Sequence, residues 1–444
     1  MNLFTHPKKA KPDWPISMIF ENQLLNMKQL YSILCLVALL FAGCAQKESK
    51  KEMTDEEMRT LADELAHKFI ITDGHIDVPY RLKEQGINIG TDNANVLVST
   101  TEGDFDYDRA KKGGLDAPFM SIYIPSSYQE QADMGKALAD SLINNVMAIA
   151  QNLPDKFALA NSPQDVEANF QAGKISLPMG MENAAPIGKD LANIQYFFDR
   201  GIRYATLTHG KDNQICDSSY DTTGTWGGLS DYGRTVVAEM NRVGIMVDIS
   251  HVDDDTFYQV MELSKAPCIA SHSSCRYFTP GFERNMNDDM IKKLGEKGGV
   301  IQINYGSSFL DSAVVQANKA RDEKLKATLQ EAGLNEADEA AKPVIEKFNQ
   351  ENPKSYATLE KVVDHIDHVV QLAGIDHVGI GTDYDGVGDS LPTGLKDVSS
   401  YPNLIYELLK RGYSEEEIEK ICSKNVFRVW NQVAEVAKQL QSQG

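Results

Sequence analysis

Eight short apolar, β-branched runs recur along this chain, at residues 69–72, 119–124, 175–179, 204–207, 245–249, 268–270, 300–303 and 378–380. Helical patterns or loops separate most of them, as successive βα units require. Eight such units close into a barrel, and one barrel of typically about 250 residues with insertions would use most of a 444-residue chain. The expected fold is therefore α/β, a (β/α)8 TIM-type barrel.

The residues that end these runs are as constraining as the runs. Asp73-Gly74-His75-Ile76-Asp77 follows the first, Glu182 the third, His209 the fourth, His251 the fifth, His272 the sixth and Asp383 the eighth. Polar side chains at such positions are costly unless paired or ligating, and the C-terminal strand ends are where barrel active sites are built. Together they point to a metal-dependent enzyme.

Composition narrows the alternatives. With 64 acidic against 44 basic residues, the formal net charge of -20 argues against a nucleic-acid partner. Six cysteines without a C-x-x-C pair fit neither a disulfide scaffold nor a Cys-rich zinc module, and Cys268, inside an expected strand, and Cys275 are expected as free thiols, with a bridge between them left open.

Three further stretches carry signals. From Met27 the chain reads MKQLYSILCLVALLFAGCAQKESKK, a basic start, an apolar stretch over 30–43, then Cys44 and a polar tail. The stretch is short for a bilayer span, which needs about 20 apolar residues, but suits a signal h-region. LFAGC is similar to a lipobox, so residues 1–26 read as upstream of the true start and 27–44 as a lipoprotein signal with Cys44 lipidated. Residues 45–58 then form a charged linker and 59–444 the catalytic domain, an exported bacterial envelope protein tethered to a membrane. Residues 311–360 are rich in Lys, Glu and Ala at helical spacing, an insertion after strand seven that could form a partial lid. Near the end, Ser414 with Glu417 three residues on is a capping-box pattern opening the closing C-terminal helices.

His75 and Asp77, one residue apart on an extended strand end, point the same way and can grip one cation. His251 and His272, each ending its own strand, fall side by side in a barrel. A Glu182 carboxylate between the two pairs can bridge two cations and make hydroxide from a shared water near neutrality. This donor set suits zinc, with cobalt or manganese as substitutes. Asp383 is placed to pass a proton from water to a leaving amine, with Asp385 a weaker substitute.

The motifs DGHIDVPYRL, GMEN, YATLTHGKDN, VDISHVDDDTF, PCIASHSSCRYF, RNMNDDM and IGTDYDGV resemble, in order, those of the membrane (renal-type) dipeptidase family of the amidohydrolase superfamily. The resemblance implies a binuclear zinc site, with His75 and Asp77 on one ion, His251 and His272 on the other and Glu182 bridging. It implies that His209 polarises the scissile carbonyl and that Asp383 is the acid/base. It also implies that Arg284 pairs with the substrate's C-terminal carboxylate, which a guanidinium fork binds bidentately. The substrates expected are dipeptides, including those ending in a D-residue, hydrolysed by a metal-bridging hydroxide.

Three positions depart from the family pattern: Ile76 where Asn is usual, Asn183-Ala184 in place of Gly-Gly, and Gly306 where an aromatic substrate contact is expected. They leave room for a related amidohydrolase acting on another amide, a lactam or an ester, and a non-catalytic binding lipoprotein is a third reading. Homodimerisation is left open.

Overall fold

Strand one of the barrel runs through the polar stretch that was expected to follow it. In the computed structural model, which describes residues 53–90 and 94–443, β1 spans Ile71–Ile76 and every one of its residues is buried. The other barrel strands are β2 (Leu115–Tyr123), β3 (Met179–Glu182), β4 (Ile202–Thr206), β5 (Met246–Asp248), β6 (Ile269–Ser273), β7 (Val300–Ile303) and β8 (Val378–Ile380). They pair in parallel in that order. A bridge between Ile76 and Tyr384 closes the ring, with the Asp383 N–H donating to the His75 carbonyl at 3.1 Å and the Asp77 N–H to the Tyr384 carbonyl at 2.9 Å. This is the (β/α)8 barrel expected from the run count.

The third run is a correction. Residues 175–179 do not form one strand: Ile175–Leu177 pairs with Phe157–Leu159 in a separate two-stranded ribbon, and the barrel strand begins at Met179. Pro178, which has no N–H to give a ladder, stands at the break.

Three successive helices, Asp231–Val243, Asp254–Leu263 and Asp288–Glu296, start on side-chain caps that satisfy a first free amide. Ser230 accepts from the Gly233 N–H at 2.8 Å, Asp253 from Thr256 at 2.9 Å and Asn287 from Met290 at 2.9 Å. Beneath the site, Phe119, Tyr204, Met246, Ile269 and Val300 form a buried cluster with Val426, Val429 and Trp430 of the C-terminal helix Asn425–Ser442. The Phe119 and Trp430 rings lie 5.2 Å apart, so the closing helix stoppers the barrel floor. The capping box of Ser414 and Glu417 forms as its sequence predicts.

The expected insertion after strand seven consists of the helices Ser312–Glu331 and Lys342–Glu351. It contributes no residue to the lining of the site cavity, which Ser308 and Phe309, just before it, reach instead. Helix Asp55–Lys68 starts inside the stretch expected as linker, with Asp55, Glu56 and Glu57 in its first turn, where the helix dipole favours acids. The chain divides into Met1–Thr54 and Asp55–Gly444, and the barrel belongs entirely to the second unit. The signal segment 27–44 and Cys44 lie outside the described residues, among which no helix is long and apolar enough to cross a membrane. Cys216, Cys268, Cys275 and Cys422 are buried free thiols.

Candidate metal centre

Glu182 is the last residue of β3, and its two carboxylate oxygens face different imidazoles. Oε2 lies 3.3 Å from Nε2 of His75, while Oε1 lies 3.1 Å from Nε2 of His251, 3.3 Å from that of His272 and 3.6 Å from that of His209. Burial pushes this carboxyl up, but the imidazoles around it hold it well below the usual carboxylate range, so it is an anion. His251 and His272 are pushed well below the usual imidazole range by burial, with the Arg284 charge adding. Their neutral rings keep a lone pair for a cation.

A positive charge among them would account for several contacts. Nε2 of His251 and Nε2 of His272 lie 2.9 Å apart, and Nε2 of His75 and Oδ1 of Asp77 are buried without a hydrogen-bond partner. Buried polar atoms are rarely left so. Three overlapping trios, His75/Glu182/His272, Glu182/His209/His251 and His75/Asp77/Asp383, each bring their ligand atoms within 4.8 Å of one another. The donor set of imidazoles and carboxylates fits a divalent metal of the zinc type.

Every strand-end residue singled out in the sequence therefore reaches one place. Asp383 stands beside the cluster, pushed up to about 7 by burial. His209 is the most open of the imidazoles, a quarter of its side chain exposed, with its ring edge-on to Tyr123 at 4.8 Å. Arg284 is buried, donating from Nη1 to the Ser273 hydroxyl at 2.6 Å and from Nη2 to the His272 carbonyl at 2.7 Å. Its Nε has no partner. Asp385 is not in the cluster's chemistry: it pairs with Arg81 at 2.8 Å and accepts from the Asp104 N–H at 2.6 Å.

The backbone is bent to achieve this. Asn183, His251 and Asp383, each just beyond a strand, have φ of 73°, 70° and 63°. Such left-handed conformations cost non-glycine residues and persist where the surroundings over-determine them. Asn183 explains one departure from the family pattern, because Asn tolerates this region best after Gly. Its Nδ2 also donates to the Ile124 carbonyl at 2.9 Å. Ile76 is fully buried in the apolar core. Gly74 is required inside the barrel, where a Cβ would come within 2.2 Å of Nε2 of Gln302 and 2.4 Å of the Ser271 carbonyl.

Four supporting side chains escaped the sequence reading. The Tyr204 hydroxyl lies 2.8 Å from Nδ1 of His75, and Asn304 Nδ2 donates to Asp383 at 2.7 Å. The Ser271 hydroxyl lies 2.7 Å from Nδ1 of His272 and donates to Asp248 at 2.6 Å. Tyr204 and Asp248 sat inside apolar runs and looked like strand filler; what they face across the barrel is not a local signal. The cluster opens on a cavity of about 540 Å³ whose walls include Tyr80, Tyr123, Tyr220, Phe309 and Val387.

A (β/α)8 barrel with a buried carboxylate among four imidazoles at its C-terminal face defines a metal-dependent hydrolase of the amidohydrolase type. The model of the membrane dipeptidase family, peptidase family M19, matches residues 59–444, and the chain belongs to that family. It is a metal-dependent dipeptidase. An uncharacterized dipeptidase of Schizosaccharomyces pombe is 31% identical over 378 residues, 82% of this chain and 80% of that protein. The crystal structure of the probable dipeptidase PvdM from Pseudomonas aeruginosa superposes with a TM-score of 0.71 at 27% identity, covering 86% of this chain and all (100%) of that one. A metallopeptidase from Rhodobacter sphaeroides, solved with a phosphinate mimic of the dipeptide L-Ala-D-Ala, shares the fold with a TM-score of 0.67 at 24% identity over 82% of this chain and 99% of that one.

Proposed function

We propose that this dipeptidase works with two zinc ions and accepts dipeptides ending in a D-residue as well as L,L substrates. The observation that carries the reading is the division of Glu182, with Oε2 toward His75 and Oε1 toward His251 and His272. His75 and Asp77 would hold one ion, His251 and His272 the other, and Glu182 would bridge. Bound zinc would supply an acidified water and a polarised carbonyl.

The chain's own groups do the rest. Asp383 takes the proton as the water oxygen bonds to the carbonyl carbon, and returns it to the amine nitrogen as the C–N bond breaks. A carboxyl near neutrality can do both. His209 stands to donate to the carbonyl oxygen as it gains negative charge. Arg284 is the cationic partner for the substrate carboxylate. Recognition centred on a carboxylate, with a cavity wall of broad aromatic faces, leaves the configuration of the terminal residue loosely restricted. The Rhodobacter enzyme's L-Ala-D-Ala mimic is consistent with this.

The test is amino-acid release from L,L and L,D dipeptides, with zinc stripped by a chelator and then restored. Expected are zinc-dependent cleavage of both series, two zinc ions per chain, and no attack on N-acylated or longer peptides. Two bound ions with no release from any dipeptide would sink the reading.

The export reading rests on the lipobox-like LFAGC. It places the enzyme on a bacterial envelope membrane through Cys44, and intact-mass measurement of the mature chain tests it: an unprocessed, unlipidated N-terminus would remove it.

A further inference from the structure

Gly306 stands where an aromatic substrate contact was expected, yet the cavity is not short of an aromatic. A Cβ on Gly306 would lie 2.8 Å from Cδ2 of Phe309 and 3.0 Å from Cγ1 of Val387. Those two side chains fill the space beside the glycine, and both line the site cavity.

The ring is held by a built framework. The Phe309 carbonyl accepts from Nδ2 of Asn285 at 2.7 Å, and the next carbonyl, of Leu310, is bonded to Nε2 of the buried His365 at 2.9 Å. Asn285 in turn accepts from the Ser274 N–H at 3.1 Å, beyond β6. The Phe282 ring stands edge-on to Phe309 at 5.5 Å. The neighbour of Asn285 in sequence is Arg284, whose guanidinium carbon lies 5.3 Å from the centre of the Phe309 ring. One dipeptide of sequence therefore fixes both the charged group and the ring. Phe309 is half-buried, one part packed and one part open to the cavity.

We infer that Phe309 is a specificity-determining residue, the apolar wall against which the side chain of the dipeptide's C-terminal residue packs. The inference rests on the dipeptidase reading above and goes beyond it to the substrate class. A carboxylate drawn to Arg284 is one bond from the Cα that carries that side chain, so the side chain falls next to the ring that stacks by the guanidinium. An apolar wall gains from each methylene it covers and gives glycine nothing. The preferred substrates are dipeptides with a bulky apolar C-terminal residue.

The test is kcat/KM of the zinc-loaded full chain on dipeptides that share an N-terminal residue and end in Gly, Ala, Leu or Phe. Phe309→Ala should lower the Leu and Phe substrates about tenfold or more and leave the Gly substrate within about twofold. Phe309→Leu, which keeps apolar bulk, should recover most of the Leu-substrate rate. An equal loss across the panel in Phe309→Ala, or an unchanged order of preference, would overturn the inference. A wild-type chain inactive on the whole panel would overturn the dipeptidase reading itself, and this inference with it.

Discussion

Asn304 holds Asp383 from one side: its Nδ2 donates to Oδ2 of the carboxylate at 2.7 Å while its own Oδ1 accepts from the Gly306 N–H at 2.7 Å. The second bond fixes which end of the amide faces the acid. The first favours the charged form of a carboxyl that burial raises to about 7. Asn304→Leu leaves a buried oxygen without its donor, a loss of about 1–3 kcal/mol. Because the lost bond lowered the Asp383 pKa, the acid limb of the kcat profile should move to higher pH. A profile that stays in place would show that Asn304 does not act through Asp383.

Asp383→Asn separates proton transfer from metal binding. Positioned acid/base groups contribute about 10²–10⁴-fold. The variant should lose activity on that scale while elemental analysis finds the metal content of the parent chain. Loss of metal in step with rate would make Asp383 a ligand instead.

Tyr204 sets the proton on His75. For Nε2 of His75 to offer its lone pair to a metal ion beside Glu182, the ring proton must sit on Nδ1, where the Tyr204 oxygen would accept it at 2.8 Å. Partners of this kind are worth about 10–100-fold in metal affinity. Tyr204→Phe is expected to show that loss in competition with a chelator; an unchanged affinity would leave the hydroxyl without a role in the site.

A methyl group on Gly386 would strike two of the three acidic side chains of the site. A Cβ there would lie 2.2 Å from Oδ1 of Asp383 and 2.2 Å from Oδ2 of Asp77. Displacement of reacting groups by an ångström costs on the order of 10²-fold. Gly386→Ala should therefore lose about that much activity with its thermal midpoint little changed, and normal kinetics would show that the two carboxylates have room to yield.

The strand-end residues were legible because each interrupts an apolar run, and the barrel because the runs number eight. Two things were not. The polar content of β1 hid how far the strand runs, past residues 69–72 to Ile76, since apolar patterning cannot recognise a segment in which Asp73 is bonded by Thr382 and Tyr401 and His75 meets Tyr204 from elsewhere in the chain. Register was misplaced at Pro178, although the proline itself was a readable signal for the break. The supporting residues Tyr204, Asp248, Asn304 and Phe309 acquire meaning only from what faces them across the barrel, which local patterning does not encode.

A buried acid at the opposite end of the strands gives a stability prediction independent of the site. Asp116, 3% exposed near the start of β2, accepts from the Ile71 N–H at 3.1 Å. Burial pushes it from 3.8 up to about 7, with the Ile71 bond and then Lys111 and His67 opposing. A carboxyl whose folded pKa is raised favours folding while protonated, so its contribution is full below about pH 4 and is lost as pH rises through 7. At about 1.4 kcal/mol per unit, the gap amounts to as much as about 4 kcal/mol. Asp116→Asn keeps an oxygen for Ile71 and removes the titration. It should be more stable than the parent above pH 7 by up to that amount, with the advantage shrinking toward pH 4. Urea midpoints of both metal-saturated chains at pH 5, 6 and 8 measure it, and the difference between chains cancels protons linked to the metal site. A difference that does not change with pH would mean that Asp116 is already ionised in the folded protein.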